Sequence, residues 1–538
     1  MRSSRWIPGL LAIALLGACR GTPPLPEPVA TAAAPPIAAA PNWWQDRVFY
    51  EIFVRSFADA TTGPLANDGI GDFQGLIEKL DYLNDGDPTT TKDLGITGIW
   101  LMPINPSPSY HGYDVTDYYG VHPEFGTRQD FERFLAEAHR RGIRVIVDLV
   151  LNHSSSQHPR FVQALRGDPA SRDWYIFVPP DAVPTTLGPW GQQVWQEKQG
   201  QHYLGIFWAG MPDLNYRNPA VTAEAERIAE FWLREMHVDG FRLDAIRHLI
   251  EDGDVMTDTP ETRAWLRKFQ ARLRQIEPDV LTIGEVWAST EAVSDYIAED
   301  ALDLAFEFDL ATAILDAART GTKAKLAYTL DNVAASYPAN RYATMITNHD
   351  QNRVASELGE DTPRLKLAAG LLLTAPGVPF VYYGEEIGQI GEKPDEMIRN
   401  PMPWSSAAHG GFTQANRPWE PLQPGHATRN VAVQDADPAS LLNHYRRLIR
   451  LRQAEPALSR GSFRSIETGR EDVIAWERAA EGRRLIVVAN LSDAAIRDFA
   501  VPGRDGAVVA AELLHATPVV AGAATLEPHR VHVFATRP

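Results

Sequence analysis

Cysteine is almost absent from this chain, which has only Cys19 among its 538 residues. No disulfide bond within the chain can therefore contribute to its stability. An excess of positive charge is also missing, because 51 Lys and Arg stand against 69 Asp and Glu and the formal net charge is −18. Nucleic acid attracts basic surfaces, so we expect no nucleic-acid partner. The length is sufficient for a large domain with an added module.

A long hydrophobic run is missing as well. The apolar stretch that follows Arg2 and Arg5 is too short to span a bilayer and predicts a signal peptide over residues 1–18. It ends in LGAC, which resembles a bacterial lipobox whose cysteine, Cys19, carries the lipid. An ordinary signal peptide with a chance cysteine is the alternative. Residues 19–41 are rich in Pro and Ala without an apolar period, which predicts an extended tether.

These features predict where the protein is located. A single acyl chain binds membranes weakly, whereas the several chains added at a lipobox anchor a protein stably. We therefore expect a lipid-anchored protein of the bacterial cell envelope, at the outer membrane or cell surface, in contact with the membrane through Cys19. A freely secreted protein is the alternative.

Charged residues interrupt one predicted apolar strand, residues 238–243, which follows a helical run at 222–236. A strand of a parallel sheet covered by helices is buried on both faces and should be nearly all apolar. Arg242 and Asp244 break this pattern two residues apart, so their side chains lie on one face. Two buried charges are costly unless they are paired or used in function. A structural ion pair at a strand end remains the alternative for this stretch alone.

Three other predicted strands end in the same way, at residues 144–150, 280–286 and 343–347. The polar residues at or just after their ends are Asp148, Asn152, His153, Glu285, Asn348, His349 and Asp350. In a β/α barrel the carboxyl ends of the strands form one face, and the active site lies there. Polar ends on four strands favour a functional site over chance burial.

The motifs that carry these residues resemble a known family. Four of them are similar to the signature regions of the α-amylase superfamily of glycoside hydrolases, in the family's order: DLVLNH (148–153), GFRLDAIRH (240–248), GEVW (284–287) and ITNHD (346–350). Four more resemble its accessory regions: GITGIWLMP (95–103), HGYDVTDYY (111–119), MPDLN (211–215) and GVPFVYYGEEIG (377–388). MPDLN is similar to the motif of an intermediary α-amylase group, between oligo-1,6-glucosidases and neopullulanases.

The resemblance implies an α/β fold: a (β/α)8 TIM barrel with a small domain inserted after strand 3 and an all-β C-terminal domain. We predict the barrel over residues 42–152 and 218–458, the small domain over 153–217, and a β-sandwich over 459–538. The insert is rich in aromatic residues, Pro and Gly, and it is too long for an ordinary barrel loop. Short alternating segments after 459 support the all-β prediction.

Four further barrel strands and the last barrel helix are predicted from apolar patterns. The strands are the first, second, sixth and eighth, at residues 44–57, 96–103, 301–310 and 377–384, and the helix spans 441–458.

The resemblance also assigns catalytic roles. Asp244 is the nucleophile, Glu285 the general acid and base, and Asp350 the residue that stabilises the transition state. Glu285 must be protonated in the free enzyme, so we expect a partly apolar setting near Trp287. Asp148 supports the site. A separation of about 5–5.5 Å between the two reacting carboxyl groups would give retention of configuration. The expected substrate contacts are Tyr113, Asp114, His153, Arg242, His349 and Arg399.

The implied activity is that of a retaining glycoside hydrolase that cleaves α-1,4-glucosidic bonds in starch, maltodextrins or related α-glucans. Ala245 favours this linkage, because related α-1,6-specific enzymes tend to have valine after the nucleophile. The alternatives are a cyclomaltodextrinase or neopullulanase, an α-glucosidase and a trehalose-forming glucosyl-transferring enzyme. A catalytically inactive binding or transport-partner subunit is a different class, which the presence of all three carboxylates disfavours. The substrate is then an α-glucan or malto-oligosaccharide, and we expect a monomer.

Calcium is the expected cofactor, at two sites. The first is the loop NDGIGD, where oxygen ligands alternate with glycines as suits a hard cation, and which resembles a calcium loop of the oligo-1,6-glucosidase branch. Pro64 and Leu65 stand where further ligands would be expected, and Asp59 is a substitute. A solvated turn is the alternative. The predicted ligands are Asp59, Asn67, Asp68, Ile70 and Asp72.

The second predicted calcium site consists of Asn152, Asp213 and His248. The resemblance implies that these positions tie the small domain to the barrel, with His248 contributing its backbone carbonyl. A hydrogen-bonded network without metal is the alternative.

Overall fold

The computed structural model describes residues 42–502 and 508–537. The predictions for the signal peptide, Cys19 and the tether lie outside the described residues. Within the described ranges, no helix combines the length and the apolar character needed to cross a membrane. The strands are β1 Phe49–Ile52, β2 Gly98–Leu101, β3 Arg144–Val150, β4 Phe177–Val178, β5 Trp195–Lys198, β6 Gln201–Leu204, β7 Gly240–Asp244, β8 Leu281–Gly284, β9 Leu304–Ala305, β10 Ala343–Thr344, β11 Val378–Tyr382, β12 Ser462–Ile466, β13 Val473–Ala480, β14 Arg483–Asn490, β15 Ile496–Ala500, β16 Val508–Glu512, β17 Ala523–Leu526 and β18 Arg530–Arg537.

Helices alternate with the barrel strands. The α-helices are α1 Val54–Phe57, α2 Phe73–Glu78, α3 Leu80–Leu83, α4 Arg128–Arg140, α5 Pro159–Leu165, α6 Pro169–Arg172, α7 Pro219–Glu230, α8 Pro260–Ile276, α9 Thr290–Ala298, α10 Phe308–Thr320, α11 Ala324–Ser336, α12 Val354–Glu357, α13 Thr362–Thr374, α14 Asp395–Ile398, α15 Val431–Asp435, α16 Leu441–Ala454 and α17 Pro456–Ser459. Helix α8 shows why they form: Thr259 caps its N terminus, Pro260 occupies its first turn, and Leu266, Phe269 and Leu273 recur on its buried face.

Eight parallel strands form the barrel, in the order β10-β11-β1-β2-β3-β7-β8-β9. A parallel bridge between Phe306 and Ala343 joins the two end strands and nearly closes the ring. The predicted (β/α)8 barrel is therefore confirmed. In the β3–β7 pair Asp148 lies opposite Arg242, and in the β7–β8 pair Leu243 lies opposite Gly284. Glu285 is therefore the first residue after the β7–β8 ladder. The predicted site residues thus gather at the carboxyl end of the strands.

Several predicted strands were too long. The segment 44–57 contains a 3₁₀ turn at Trp43–Asp46, then β1 and α1, and the segment 301–310 contains only β9 before α10 begins at Phe308. Buried strands and buried helix ends both show continuous apolar residues, so an apolar run does not mark the boundary between them. The predicted helix 441–458 is two helices, because Pro456 starts the second.

Two further parts of the chain are added to the barrel, an insert after β3 and a C-terminal all-β region. Between β3 and β7 the chain forms α5, α6 and the antiparallel sheet β4-β6-β5. At the C-terminal end, the antiparallel sheet β12-β13-β14-β18-β16 and the pair β15-β17 enclose a core that includes Val473, Ile486, Leu526 and Phe534. The all-β C-terminal domain is confirmed, whereas the domain boundaries at 153, 218 and 459 stay predictions.

Candidate active site

Arg242 is the centre of the site and has 1% of its side chain exposed. Its Nη1 donates to Asp148 Oδ1 at 2.7 Å and to Asp244 Oδ1 at 2.6 Å, and its Nη2 lies 2.9 Å from Glu285 Oε2. Strands β3, β7 and β8 supply these four residues, and parallel pairing brings their ends to one level. Arg242 therefore holds the predicted nucleophile and the predicted acid through neighbouring nitrogens of one planar group.

Burial and charge act against each other in this cluster. Burial raises the pKa of Asp148 and, more strongly, that of Asp244, while Arg242 favours their ionised forms. Arg242 brings one positive charge to three carboxyl groups. The charge of Arg242 is therefore shared among them, and at Asp244 the effect of burial is the larger one.

A second charged network lies beside the first. His349 Nδ1 bonds to Glu51, and His349 Nε2 lies 3.2 Å from Asp350 Oδ2 and 2.7 Å from the Tyr113 hydroxyl. Although burial opposes it, Asp350 and Glu51 raise the pKa of His349 to about 10. The same pairing keeps Asp350 ionised, because the charges of His349 and then Arg399 lower its pKa strongly against the effect of burial.

Tyr113 connects the two networks. Its hydroxyl accepts from the protonated His349 and donates to Asp148 Oδ2 at 3.2 Å. The indole Nε1 of Trp100 donates to the same oxygen at 3.3 Å. A continuous chain of hydrogen bonds therefore runs from Glu51 through His349 and Asp148 to Arg242.

Arg399 closes one side of the site. Its Nη2 lies 2.8 Å from Asp350 Oδ1 and 3.0 Å from Asp395 Oδ2, and its Nε donates to the carbonyl of His349 at 2.9 Å. Asp395 begins helix α14 and Arg399 caps its end four residues later, so Asp395 can bond Arg399 while Arg399 bonds Asp350. Arg399 thus fixes the orientation of the Asp350 carboxylate.

These groups surround a pocket of about 280 Å³, which we call the catalytic pocket. Six of the predicted residues line it: Tyr113, His153, Asp244, Glu285, Asp350 and Arg399. His153 is 1% exposed, burial lowers its pKa to about 3, and its Nε2 has no hydrogen-bond partner among the described residues. A neutral imidazole with a free nitrogen at the wall can bond a sugar hydroxyl.

The other three predicted contact residues lie behind the wall. The carboxylate of Asp114 accepts from the hydroxyls of Ser107 and Ser109. Arg242 is covered by its carboxylates, and His349 is fully buried with both ring nitrogens bonded within the protein. They support the residues of the pocket instead of facing it, a distinction that a sequence motif does not contain.

Comparison with known proteins identifies the family. The alpha-amylase catalytic domain family matches residues 51–461, which is more than half of the chain. The chain belongs to the α-amylase family. It is 38% identical to alpha-amylase 3 of Dictyoglomus thermophilum, across 84% of this chain and 85% of that protein. It is also 31% identical to the oligo-1,6-glucosidase of Halalkalibacterium halodurans, across 86% of this chain and 92% of that protein.

A solved structure supports the same assignment. The crystal structure of the alpha-amylase from H. orenii covers 91% of this chain and 99% of its own, with a TM-score of 0.81 and 38% identity. The protein is therefore an α-amylase-family glycoside hydrolase. Because its relatives carry the names of different activities, the family alone does not determine the bond that is cleaved.

A second cavity of this α-amylase-family enzyme adjoins the catalytic pocket. It has a volume of about 440 Å³, and Glu285 and Phe207 line both spaces. Glu285 Oε2 lies 2.9 Å from Arg242 Nη2 and accepts from the backbone N–H of Ala245 at 3.0 Å, so both contacts fall on one oxygen. Trp287 is 47% exposed and lines the second cavity together with Glu285, so Glu285 has an aromatic neighbour there in a half-open setting.

Sequence reasoning missed several residues of the site. Glu51 supports His349 from 298 residues away, and its signal was a lone charge in the apolar strand β1. Asp395 lies four residues before Arg399, which is the spacing of a helical ion pair. Met211 also lines the catalytic pocket; it belongs to the MPDLN motif, from which only Asp213 had been predicted as a site residue.

In the first predicted calcium loop, backbone N–H groups donate hydrogen bonds to the carboxylates that were predicted as ligands. Asp59 accepts from the backbone N–H groups of Asn67 and Gly69, each at 2.9 Å, and Asp72 accepts from those of Ala60 and Gly75. Asp68 accepts from the N–H of Ile70 at 2.9 Å. Burial raises the pKa of Asp72 to about 6. These bonds within the loop favour the turn over a cation site.

The second predicted calcium site is different. Asp213 is 4% exposed, and burial raises its pKa well above the usual range. Its donors are Asn152 Nδ2 at 3.2 Å and the N–H of Ile206 at 3.3 Å. Asn152 Oδ1 is buried without a partner among the described residues. A buried carboxylate beside an unpartnered amide oxygen is a donor set that fits a hard cation.

The histidine of this second set contributes no ring ligand. His248 Nδ1 donates to the carbonyl of Met256 at 3.0 Å, which is compatible with the predicted role of its own backbone oxygen. Across the described residues, no group of three His, Cys, Asp or Glu side chains is arranged to hold a metal ion. Any calcium here would therefore depend on amide and backbone oxygens beside a single carboxylate.

Proposed function

We propose that this protein is a retaining glycoside hydrolase that cleaves α-1,4-glucosidic bonds in starch, maltodextrins and related α-glucans by double displacement. The observation that carries the proposal is the attachment of Asp244 and Glu285 to adjacent nitrogens of Arg242 at the wall of one pocket. Asp350 lies at the same wall, bonded to Arg399. Glycoside hydrolysis with retention requires two carboxyl groups close together at the scissile bond, one to attack and one to donate a proton.

The first displacement uses both groups of the pair. Glu285 gives its proton to the glycosidic oxygen while Asp244 attacks the anomeric carbon, and the leaving sugar departs with the proton. Arg242 holds Asp244 through Oδ1, so Oδ2 is the attacking oxygen. In the second displacement Glu285 takes a proton from water, the water oxygen bonds to the anomeric carbon, and Asp244 is released as a carboxylate.

Asp350 stabilises the transition state and does not attack the anomeric carbon. Its lowered pKa keeps a negative charge beside the sugar ring, where positive charge develops in the transition state. Tyr113 and His153 orient the same sugar, Tyr113 from the wall and His153 through its free Nε2. Fixed charges and dipoles of this kind stabilise the transition state more than the ground state.

The residue after the nucleophile supports the α-1,4 linkage. Ala245 has φ 50° and ψ 30°, in the left-handed region, where a β-branched residue is strained. Its small side chain also lines the second cavity, next to Glu285. Valine, the residue of related α-1,6-specific enzymes, would therefore change both the backbone and the room for the leaving sugar.

The test is a product profile with starch, maltotriose, pullulan and cyclodextrin in parallel, together with the anomeric configuration of the first product. Reducing ends released from starch as the α-anomer support the proposal. A preference for cyclodextrin or pullulan over starch favours the cyclomaltodextrinase or neopullulanase alternative. Formation of the β-anomer rejects retention, and the absence of any released sugar rejects the activity.

A structural calcium ion belongs to the same proposal. Asn152, Asp213 and the backbone carbonyl of His248 would hold it, and it would supply the positive charge that buried Asp213 lacks. Since Asn152 follows β3 and Asp213 lies in the insert after it, the ion would tie the insert to the barrel.

Lipid anchoring through Cys19 remains the proposed location, on the basis of its LGAC motif. Cells expressing the wild type and Cys19→Ser are fractionated, and glycosidase activity is measured in each fraction. The wild type should sediment with membranes and be released by detergent, whereas Cys19→Ser should stay soluble. Equal soluble activity of both proteins would reject the anchor and leave the catalytic proposal intact.

A further inference from the structure

A third cavity lies between the end of β3, the insert and α7. Its volume is about 370 Å³, and no described residue lines both this space and either the catalytic pocket or the second cavity. Leu149 and Leu151 of the barrel form one wall, Trp174 of the insert forms another, and Val221 and Ile228 of α7 form a third. We call this space the rear cavity. Its size and its mainly apolar and aromatic lining are typical of a site for a small molecule.

The hydroxyl groups in the wall of the rear cavity are bonded within the protein. Tyr118 donates to the carbonyl of His153 at 2.6 Å, and the Tyr175 hydroxyl lies 2.9 Å from Ser154 Oγ. Because these groups already have partners, the part of a ligand that enters the cavity should be apolar. The other hydroxyl groups of the wall donate to carbonyl or carboxylate oxygens, and they belong to Thr116, Tyr119 and Tyr216.

Arg160 brings a positive charge to the rear cavity. Its side chain is partly exposed, and its guanidinium carbon lies 3.6 Å from the centroid of the Trp174 ring. The guanidinium makes no hydrogen bond or ion pair with any residue of the described ranges. Trp174 therefore supports a planar cation whose N–H groups are free to donate.

His158 adds a second donor beside Arg160. Burial, and then the charge of Arg160, lower the pKa of His158 to about 4, so its ring is neutral at pH 7. The Nδ1 atom accepts from the backbone N–H of Arg160 at 3.2 Å, which leaves the ring proton on Nε2. Nε2 has no hydrogen-bond partner in the described part of the chain. Two donors of this kind suit a ligand group that only accepts, such as a carboxylate.

Two acidic side chains of the rear cavity already have partners. Glu224 Oε1 accepts from the Tyr119 hydroxyl at 2.9 Å, and its Oε2 pairs with Arg227, which balances its charge. Asp117 Oδ1 accepts from the backbone N–H of Tyr119 at 2.9 Å, and its side chain is exposed to water, which screens its charge. The unpaired charge of Arg160 therefore favours an anion at this end of the cavity.

We propose that the rear cavity binds a small carboxylate with an apolar body, whose carboxylate accepts from Arg160 and from His158 Nε2 and whose body packs between Leu151 and Ile228. This site is separate from the catalytic pocket, so the inference goes beyond the proposed function and does not depend on it. Barrel, insert and α7 each supply part of the wall, so the ligand binds only the folded chain and stabilises it.

The test measures binding of three probes that share one apolar body and differ in the head group: 4-phenylbutanoate, 4-phenylbutan-1-ol and 4-phenylbutylamine. Isothermal titration calorimetry at pH 7 should give a Kd of about 1 mM or below for the butanoate. The alcohol should bind about tenfold more weakly, because it lacks the charge that Arg160 can pair, and the amine more weakly still. An alcohol or amine that binds as tightly as the butanoate would overturn the assignment of a carboxylate.

Three variants locate the probe in the rear cavity. Arg160→Gln should weaken the butanoate about tenfold and leave the affinity for the alcohol nearly unchanged. Ala225→Leu puts a larger side chain into the wall and should weaken all three probes. Arg172→Gln is the matched control, because Arg172 also lies over an aromatic ring of the insert, 3.4 Å from the centroid of Phe177, but does not line the rear cavity. It should bind the butanoate as the wild type does.

Melting temperatures without probe show whether each variant is folded, and the butanoate should raise the melting temperature of the wild type more than that of Arg160→Gln. Wild-type affinity for the butanoate in both Arg160→Gln and Ala225→Leu would place the probe elsewhere and overturn the site.

Enzyme kinetics separate the rear cavity from the catalytic pocket. The butanoate should not compete with starch, because no described residue lines both spaces. An apparent KM that rises with the butanoate concentration equally in the wild type and Arg160→Gln would show binding in the catalytic pocket and overturn the proposal. A wild type that does not cleave starch would instead reject the proposed function, and calorimetry would still decide whether the rear cavity binds the carboxylate.

Discussion

The barrel mouth and the junction between the barrel and the C-terminal sheet both bury histidine. At the mouth, Asp350 and Glu51 raise the pKa of His349 to about 10 despite its burial. At the junction, burial lowers the pKa values of His444 and His532 to about 3. His349 at the mouth is therefore a cation, whereas the histidines of the junction are neutral, as His153 is at the wall of the catalytic pocket.

The neighbours at the junction explain its neutral histidines. His444 stacks on His515 at 5.9 Å, and His515 lies 5.6 Å from His532. Glu512 is 3.9 Å from His532, but its oxygens already accept from backbone N–H groups, those of Leu514, His515, Thr517 and Val533. Further charges near the cluster are positive and lower the pKa values more, those of Lys366, Arg447 and Arg530.

This difference shows how a catalytic region can be distinguished from a buried region whose side chains only pack. Buried ionisable groups occur in both, so burial alone does not identify a site. At the mouth, groups of opposite charge are brought within bonding distance and their pKa values are pushed apart. At the junction the groups remain uncharged and fill space between two domains.

The strongest test removes the charge at the centre of the mouth. Asp244→Asn should reduce starch hydrolysis by about 10³-fold or more, because no covalent intermediate can form. Glu285→Gln should lose as much on starch but retain part of its rate on α-glucosyl fluoride, which needs no acid. Initial rates and melting temperatures are measured for both. Near-normal starch hydrolysis by Asp244→Asn would contradict the assigned role.

Asp213 of the insert differs from Asp148 and Asp244, because burial raises its pKa and no arginine is bonded to it among the described residues. If calcium supplies a positive charge there, chelation should lower the free energy of unfolding by about 2.7 kcal/mol at calcium 100-fold above Kd, and added calcium should restore it. Asp213→Asn should make stability insensitive to chelation, whereas Asp59→Asn in the other predicted loop should not. An unchanged melting curve, with no metal by elemental analysis, would exclude the ion.

Glu51 tests whether the neighbours of His349 matter to activity. Glu51→Gln removes one of its two carboxylates, so the pKa of His349 should fall and kcat/KM should drop roughly 10-fold through misplacement of Asp350. A raised pKa keeps His349 charged until the pH passes about 10, so the loss of activity at alkaline pH should begin earlier in the variant. Glu385→Gln, at a buried glutamate bonded to Tyr445, is the control. Coincident pH profiles of wild type and Glu51→Gln would remove Glu51 from the network.

The smallest effect on activity is expected at the junction, where the histidines act on stability. Lowered histidine pKa values mean that the unfolded chain binds protons below pH 6.5 while the folded chain does not, so stability falls as the pH falls towards 4. Each histidine contributes at most about 1.4 kcal/mol per pH unit. Urea unfolding at pH 7, 6 and 5 measures this slope.

His532→Leu separates this effect from the rest of the protein. Both ring nitrogens of His532 are buried without hydrogen-bond partners in the described part of the chain. The substitution should therefore stabilise the protein by about 1 kcal/mol at neutral pH and reduce the dependence on pH. Activity should not change. An unaltered slope would show that the junction is not neutral as inferred.

Much of the site was predictable because its signals are local. Asp148, Asp244, Glu285 and Asp350 all lie in or just after the carboxyl ends of apolar strands, and a period of two places Arg242 and Asp244 on one face of β7. Glu51 and Asp395 were visible only as single charges, without an indication of their partners. Strand lengths were overestimated for a related reason, since the apolar runs continue into the helical turns on both sides of β1 and into α10 after β9.

The barrel, the order of its strand-end carboxylates and the family were predictable from the sequence, because short motifs and apolar periodicity are local features that resemble those of a known family. Which charged neighbours surround each ionisable side chain is visible only in the tertiary structure. In the folded chain, His349 and Arg242 are buried behind the wall of the catalytic pocket. His153 Nε2 and Asn152 Oδ1 have no partners among the described residues. Trp190 of the insert and Trp287 of the barrel line the same cavity. The physical reason is that pKa values and free hydrogen-bonding groups depend on distances between segments far apart in the chain, and local patterns do not encode these distances.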